Sequence, residues 1–292
     1  MQTSAVEAER GTSLWRDAWR RLRRNRMAVV SGSFLLLLGV VTLLAPVLPG
    51  MSDPELQNLE LGATSPSFAH PFGTDILGRD LLARVAHGGR ISILVGLVAT
   101  LVSFAVGVGY GAAAGYFGGR VDNWMMRFVD VLYSLPYMFL VILLMVYFSR
   151  SIVMLFVALG LVQWLTMARI VRGQVLSIKQ NEYVEAARSM GTGHFAIIFR
   201  HVVPNTLGPI IVYATLTVPA VMLQEAFLSF LGLGVQPPQA SWGTLVNDGA
   251  RVIAFFPWLS LFPGLALALT LFCLNFLGDG LRDALDPHLR HD

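Results

Sequence analysis

Charged residues are scarce in this chain. Of its 292 residues only 13% are Asp, Glu, Lys or Arg, whereas 55% are hydrophobic. Soluble domains carry about 25% charged residues, so this composition excludes an ordinary soluble domain and indicates an integral membrane protein. Cysteine is rarer still: Cys273 is the only one and lies in an apolar run, so the chain cannot form an internal disulfide bond.

Lysine is almost absent as well, which bears on nucleotide chemistry. The only lysine, Lys179, lies between Ile178 and Gln180, so the phosphate-binding loop Gly-x4-Gly-Lys-Ser/Thr does not occur. We therefore predict that the chain is not an enzyme, that it binds no cofactor, and that any ATP hydrolysis takes place in a partner. The six histidines lie apart without metal-ligand spacing, which predicts no metal site. No Ser/His/Asp arrangement or pair of carboxylates is evident, which disfavours an intramembrane hydrolase.

Long apolar runs, by contrast, are abundant. A helix needs about 20 consecutive apolar residues to cross the bilayer core. Six segments qualify, at 27–48, 91–117, 124–148, 151–168, 207–231 and 252–278. The sequence therefore predicts an all-α integral membrane protein with six transmembrane helices. A cleavable signal peptide is disfavoured, because the first run is too long and Ala45-Pro46 offers no small-x-small cleavage site.

Basic residues predict the orientation of these helices. Sixteen of the 21 Lys and Arg residues fall on the side that holds both termini and the fourth connection. Because cytoplasmic loops are enriched in Lys and Arg, both termini are predicted to be cytoplasmic, with a periplasmic loop at 49–90 and a cytoplasmic tail at 279–292. The net charge of +3 is thus assigned to topology and not to nucleic-acid binding.

The segment 1–26 is predicted to be cytoplasmic and amphipathic. Trp15, Trp19 and Leu22 recur at helical spacing, with arginines on the neighbouring face. Such a helix lies on the inner leaflet of the bilayer, with its tryptophans at headgroup depth.

The connection between the fourth and fifth apolar segments carries the most specific pattern in the chain. Glu185-Ala186-Ala187-Arg188-Ser189-Met190-Gly191 is followed, nine residues after the glycine, by His201-Val202-Val203-Pro204. We predict a helix over 181–190, a reversal at Gly191, and a second helical stretch over 194–202 that ends before Pro204. Small alanine side chains and the carboxylates of Glu182 and Glu185 suit docking into a partner's groove. The alternative is a solvated amphipathic loop.

This pattern resembles the EAA loop of ABC-importer permeases. His201, where many members carry Ile, is typical of the peptide and nickel branch. Further similarity to the C-type permeases of peptide importers covers almost the whole chain, and the runs 13–17 and 167–174 are most similar to the oligopeptide members. The other matching segments are Phe72-Gly73-Thr74-Asp75 with Gly78-Arg79-Asp80-Leu81-Leu82, Phe227-Leu228-Ser229-Phe230-Leu231-Gly232-Leu233-Gly234 with Ser241-Trp242-Gly243, and Gly278-Asp279-Gly280-Leu281-Arg282-Asp283-Ala284-Leu285-Asp286-Pro287.

The resemblance implies a type I ABC importer permease fold, with a five-helix core at 84–278 and a cytoplasmic coupling loop at 181–204. It implies three kinds of partner besides the lipid bilayer: a homologous B-type permease, two ATPases that bind ATP and Mg, and an extracytoplasmic peptide-binding protein. Oligopeptides would be imported by alternating access; dipeptides, glutathione and nickel chelates remain open as substrates. The residues that it assigns to ATPase coupling are Glu182, Glu185, Ala186, Ala187, Arg188, Gly191, His201 and Pro204.

Polar residues near or inside the apolar segments are further candidates. Glu225 is the only acidic residue well inside such a segment, and groups of this kind are functional candidates. It is interpreted as a hydrogen-bonded structural tie in preference to a substrate contact or a proton relay. The relay underlies the rival hypothesis of a proton-coupled secondary transporter. Asp130 is expected to pair with Arg127, three residues before it.

On the outer side, Asp75 is expected to cap a short helix on the membrane face, in which Asp80 pairs with Arg84. Asp75, Arg79, Asp80 and Trp242 are candidates for a periplasmic gate or for contact with the binding protein.

Small residues and prolines predict how the helices pack and bend. Glycines four residues apart in the second apolar segment predict a close approach between helices in lipid, and three prolines inside the segments predict kinks. These residues are Gly107, Gly111 and Gly115, and Pro136, Pro219 and Pro263.

Overall fold

The structure is a computed structural model that describes residues 14–47, 53–148 and 151–285. These residues form helices and connecting loops without a β-strand; one isolated β-bridge joins Thr74 to Asp80. The helices are α1 Leu14–Arg24, α2 Arg26–Leu44, α3 Leu81–Phe117, α4 Gly119–Ser134, α5 Tyr137–Phe148, α6 Ile152–Ile178, α7 Glu182–Ser189, α8 His194–Ile197, α9 Val203–Phe230, α10 Trp242–Ala250 and α11 Trp258–Leu285.

Five of the described helical stretches are long and apolar enough to cross a membrane. They are Arg26–Val47, Leu81–Phe117, Ile152–Ile178, His194–Phe230 and Trp258–Leu285. A sixth span results if α4 and α5, which meet at an angle of 82°, are counted as one. Five of the six predicted segments therefore correspond to one helical stretch each, and the segment 124–148 is divided between α4 and α5. α1 matches the predicted amphipathic helix, with the Arg23 guanidinium 5.1 Å from the centre of the Trp19 ring.

Several helices extend beyond the apolar runs that predicted them. α3 begins ten residues before the predicted 91–117, α6 continues past 168 to Ile178, and α11 begins at Trp258 and ends at Leu285. Polar residues in the extensions of α3 and α6 have tertiary partners, Asp75 for Arg84 and Asp122 for Arg172, so these helices continue where hydropathy alone would end them. The predicted tail 279–292 is consequently helical up to Leu285, and its last seven residues lie outside the described part of the chain.

The predicted close approach of helices is confirmed, and the partner of α3 is α6. A Cβ atom on Gly107 would lie 2.6 Å from Met167 Cβ, and one on Gly115 would lie 2.9 Å from Val175 Cβ. One on Gly111 would overlap the carbonyl oxygen of Ala168. Lipid tails are as apolar as leucine, so the helices gain most where small residues let the backbones touch.

The break between α4 and α5 lies at Leu135 and Pro136. Proline has no amide hydrogen, so one bond of the i→i−4 ladder is lost at residue 136. The Leu135 amide donates to the Leu132 carbonyl at 3.3 Å, which closes α4. The kink predicted at Pro136 is thus a full break, whereas Pro219 and Pro263 lie inside the continuous helices α9 and α11.

α10 is a short helix that the apolar pattern did not predict. Ser241 begins it with a capping box, in which its hydroxyl accepts from the Thr244 amide at 3.2 Å. Trp242 is fully buried; its indole donates to the Val85 carbonyl at 2.8 Å, and its amide donates to Ser92 Oγ at 3.1 Å. The tryptophan therefore fastens α10 to α3.

Candidate functional site

Residues 181–204 form a helical hairpin at one end of α6 and α9. α7 ends at Ser189, and the chain reverses at Gly191, whose φ of +79° lies in the left-handed region that favours glycine. The Thr192 amide reaches back to the Ala187 carbonyl at 3.1 Å, and the Gly191 amide to the Arg188 carbonyl at 3.0 Å. Such bonds satisfy the carbonyls at a helix end, so the reversal predicted here has a local cause.

One face of the hairpin is buried against the ends of α3 and α6. Val184 is fully buried, Ala187 is nearly so, and both belong to an apolar cluster with Val175 of α6 and Tyr116 of α3. Ile197 of α8 completes this cluster from the second arm of the hairpin. Ala187 therefore packs the hairpin against the helices beneath it, whereas its neighbour Ala186 is exposed at the surface.

The opposite face is exposed and carries most of the predicted coupling residues. Here lie Glu182, Glu185, Ala186, Arg188 and Gly191. Pro204 is also exposed, and His201 is half-buried. The structure thus brings the predicted residues onto one hairpin, with the exception that Ala187 turns inward.

The hairpin also carries exposed apolar side chains, which sequence reasoning missed. Met190 and Phe195 are 77% and 72% exposed, and Tyr183 and Phe199 are exposed as well. Large apolar side chains grouped on a surface mark interaction sites. A sequence signal for them was present: Phe195 and Phe199 are four residues apart in the connection between two apolar segments, so they lie on one face of a helix.

Polar contacts bind the hairpin to the helices beneath it. The Tyr116 hydroxyl lies 3.0 Å from His194 Nδ1, and the Arg188 guanidinium lies 5.6 Å from the centre of the Tyr116 ring. Directly before the hairpin, Lys179 Nζ at the end of α6 donates to the Gly115 carbonyl at 2.7 Å and joins α6 to α3. A displacement of the hairpin would therefore act directly on the ends of α3 and α6.

The prediction that the second arm ends before Pro204 is wrong. Residues Ile198–Val202 form a π-helical turn, and α9 follows at once, so that His194–Phe230 is one helical stretch. Pro204 lies in the first turn of α9, where a missing amide hydrogen costs little, and the wider π turn accommodates the change. The arm is consequently a rigid continuation of the membrane helix.

Asp75 does not cap a helix, which corrects the sequence-based expectation. It is buried in a turn; its Oδ1 accepts the amides of Leu77 at 2.9 Å and Arg79 at 3.0 Å. Its Oδ2 lies 2.7 Å from both Arg79 Nε and Arg84 Nη1. One carboxylate thus holds two guanidinium groups and the turn between them.

Asp80 supplies the helix cap that was assigned to Asp75. Its Oδ1 accepts the Ala83 amide at 2.9 Å at the start of α3, and its Oδ2 lies 2.7 Å from His70 Nδ1. The predicted Asp80–Arg84 pair is therefore wrong, because Arg84 is taken by Asp75. No separate outer helix exists in the described 53–80 segment, since the predicted one is the first turns of α3.

The outer cluster also contains Asp248 and Arg251 of the α10 end, which line a cavity together with Asp75, Arg79 and Arg84. Asp248 is exposed at the rim; desolvation raises the pKa of its carboxyl, and the charges of Arg84, Arg251 and Arg79 oppose this shift. Asp75 and Trp242 present little or no surface in this conformation, and the role of the four outer residues in a gate or in binding-protein contact stays a prediction.

Glu225 is completely buried in α9. Its Oε1 accepts a hydrogen bond from Ser229 Oγ at 2.6 Å, and Ser229 Oγ lies 3.3 Å from Ser241 Oγ at the start of α10. Its Oε2 has no hydrogen-bond partner among the described residues. These contacts match the proposed structural tie between α9 and α10, and the role of Glu225 stays a prediction.

Two ion pairs join α4 to α6, and one of them corrects a prediction. Asp130 pairs with Arg169 at 2.8 Å and not with Arg127, which is exposed. Asp122 binds Arg172 through both oxygens, at 2.5 and 2.6 Å. Arg169 and Arg172 of α6 lie against α4, so Asp130 pairs across the two helices and not with Arg127 on its own helix. Within the described part of the chain, no group of three or more His, Cys, Asp and Glu side chains is arranged to hold a metal ion.

Comparison with known proteins yields consistent matches. Residues 105–291 match the model of the family described as binding-protein-dependent transport system inner membrane component. Residues 13–66 match the N-terminal TM domain of oligopeptide transport permease C.

The curated relatives match along nearly their whole length. The chain is 53% identical to the oligopeptide transport system permease protein OppC of Escherichia coli K12, over 95% of this chain and 92% of the relative. It is 50% identical to the dipeptide transport system permease protein DppC of Bacillus subtilis, over 95% and 87%. Among solved structures, an inward-facing MetNI methionine ABC transporter chain matches with a TM-score of 0.58 and 19% identity, over 70% of this chain and 96% of that chain.

Proposed function

The chain belongs to the family of binding-protein-dependent transport system inner membrane components, and we propose from this that it is one permease subunit of an ATP-driven oligopeptide importer. It is a multi-pass protein of the inner membrane. The observation that carries the proposal is the high identity to oligopeptide permeases over almost the full chain. A proton-coupled secondary transporter is not retained, because the chain belongs to a family of ABC permeases.

ATP hydrolysis is assigned to two separate ATPase subunits, one of which docks on the hairpin 181–204 of this chain. The exposed carboxylates of Glu182 and Glu185 can accept hydrogen bonds from arginines or backbone amides, and charge-assisted bonds of this kind are strong. The exposed Met190 and Phe195 add apolar surface that a partner's groove would cover. Exposed carboxylates and exposed apolar side chains on the same hairpin support a protein–protein contact.

Coupling follows from the rigidity of the hairpin. Its second arm is continuous with α9, and its first arm is packed on α3 and α6. When the ATPases close on ATP, the displacement reaches three membrane helices without being absorbed in a flexible linker. A second, homologous permease would supply the other half of the path, and an extracytoplasmic binding protein would deliver the peptide.

Dipeptides are the second candidate substrate, since DppC of Bacillus subtilis is nearly as similar as the oligopeptide permeases. The deciding experiment is purification of the tagged chain in mild detergent, identification of the co-eluting subunits by mass spectrometry, and reconstitution of that assembly in liposomes. We expect a second permease, two ATPases, and ATP-dependent uptake of a labelled tetrapeptide. Recovery of the chain alone, confirmed by cross-linking in intact membranes, would contradict the importer; preference for a dipeptide would change the substrate.

A further inference from the structure

Polar side chains collect in a cleft of about 420 Å³ beside the break between α4 and α5. The α4–α5 break bounds the cleft on one side, and α6 and α9 bound it on the other. Both α6 and α9 belong to helical stretches that are long and apolar enough to cross a membrane. Its polar lining consists of Tyr133, Ser134, Tyr137, Gln163, Thr166 and Gln224. Polar groups inside membrane helices are costly; they mark substrate pathways, and they also form hydrogen bonds between packed helices.

The lining residues form two pairs across helix boundaries. Gln163 Nε2 of α6 donates to Gln224 Oε1 of α9 at 3.1 Å, and the Tyr133 hydroxyl of α4 lies 2.8 Å from Thr166 Oγ1 of α6. A primary amide has two donor hydrogens and an acceptor oxygen with two lone pairs, so one such bond leaves both glutamines with further capacity. Both side chains are half-buried and therefore within reach of a molecule in the cleft.

The backbone adds acceptors at the same place. The last carbonyls of a helix lack backbone partners within that helix. At the end of α4, Val131 accepts from Ser134 Oγ and Leu132 from the Leu135 amide, and Pro136 has no amide to offer the carbonyls of Tyr133 and Ser134. The 82° bend turns α5 away from the end of α4. Irregular backbone at membrane depth is tolerated where it is buried in protein or lines a water-filled cavity, and the end of α4 borders this cleft.

None of the residues that line the cleft is charged. The cleft therefore offers amide, hydroxyl and carbonyl groups without selecting for positive or negative side chains. The ligand that matches such a lining is the peptide main chain, which repeats one N–H donor and one C=O acceptor per residue whatever its side chains are. The volume falls in the range of about 300–1,000 Å³ that is usual for ligand sites.

We propose that this cleft binds the main chain of a peptide during its passage, with Gln163 and Gln224 as the principal hydrogen-bonding groups. The inference rests on the proposed function. It assigns a part of the path to this chain and accounts for tolerance of peptide sequence at that point.

The test uses the complete importer with its binding protein in liposomes. Two tetrapeptides are compared, tetra-alanine and the same peptide with N-methylated internal peptide bonds, each pre-loaded on saturating binding protein. The wild type is expected to transport tetra-alanine about tenfold faster, because N-methylation removes main-chain donors. Gln163→Leu with Gln224→Leu keeps the side-chain size, and it should bring that ratio close to one while the stimulation of ATPase activity by loaded binding protein persists.

Photo-cross-linking locates the contact independently of any variant. A tetrapeptide with a diazirine side chain is illuminated during turnover, and the attachment sites are found by mass spectrometry. Attachment within 132–137 or 162–166 is the expected result. ATP-driven uptake with attachment elsewhere only, or an unchanged ratio in the double variant, would overturn this inference and leave the importer intact; no uptake of either peptide by the wild type would overturn both.

Discussion

At the scale of single residues, the contact between α3 and α6 depends on positions that hold only hydrogen as a side chain. Gly111→Ala is expected to destabilise the protein by about 1–3 kcal/mol, because the added carbon overlaps the Ala168 carbonyl. Gly109→Ala is the matched control: it lies on the same helix, and its added carbon meets nothing within 4 Å. Thermal unfolding in detergent measures both, and equal midpoints would contradict the close approach.

The buried carboxylate of Asp75 permits a second prediction at this scale. Asp75→Asn removes the charge that Arg79 and Arg84 share, and breaking a buried pair costs about 3–5 kcal/mol because a charge is left uncompensated. The melting temperature should fall sharply, while Asp53→Asn, at an exposed carboxylate, should leave it unchanged. Similar midpoints for the two variants would show that the outer cluster does not hold this part of the fold.

Glu225 permits a prediction that separates a structural tie from a proton relay. Glu225→Gln retains an oxygen that can accept from Ser229, so uptake by the assembled importer should stay within about twofold of the wild type. Glu225→Leu removes the acceptor and should lower thermal stability. The measurement is ATP-driven uptake with and without a proton ionophore. If Glu225→Gln abolished uptake and wild-type uptake were sensitive to the ionophore, the result would support a proton relay at Glu225.

At the scale of elements, the hairpin 181–204 must keep both its charge and its reversal. Glu185→Lys with Gly191→Pro should abolish uptake and leave membrane insertion intact, because proline requires φ near −65° and Gly191 has φ +79°. Uptake in liposomes and the amount of protein in the membrane fraction are the two measurements.

Gly193→Pro is the control for the proline itself. Gly193 has φ −62°, which proline adopts without strain, so this variant should retain uptake. Normal ATP-driven uptake by the Glu185→Lys, Gly191→Pro variant would remove the coupling role from the hairpin.

The features of the hairpin that depend on neighbouring residues in the sequence were predicted correctly, whereas those that depend on tertiary contacts were not. The start of α7 and the reversal at Gly191 follow from residues adjacent in sequence. The continuation through Pro204 depends on the π turn before it, and the exposure of Phe195 depends on which face packs on α3 and α6. A sequence pattern predicts that a helix exists more reliably than it predicts which face is covered.

At the scale of the whole molecule, the predicted family, the all-α importer fold and the inner-membrane location are confirmed. The orientation stays a prediction from the distribution of basic residues. Protease-cleavable tags at both termini should be cut in inside-out vesicles and protected in right-side-out vesicles. Cleavage of either tag in right-side-out vesicles would reverse the assignment of the hairpin to the cytoplasm.

The sequence was sufficient to predict the class of protein, the number of apolar segments and the position of the hairpin 181–204. These properties are additive along the chain, because insertion into lipid depends on summed hydropathy and the loop motif is continuous. The tertiary structure alone decided the partners of Asp75 and Asp130, the burial of Trp242 and the polar cleft at Pro136. Each of these joins residues from different helices, so it exists only once α3, α4, α6, α9 and α10 are packed together.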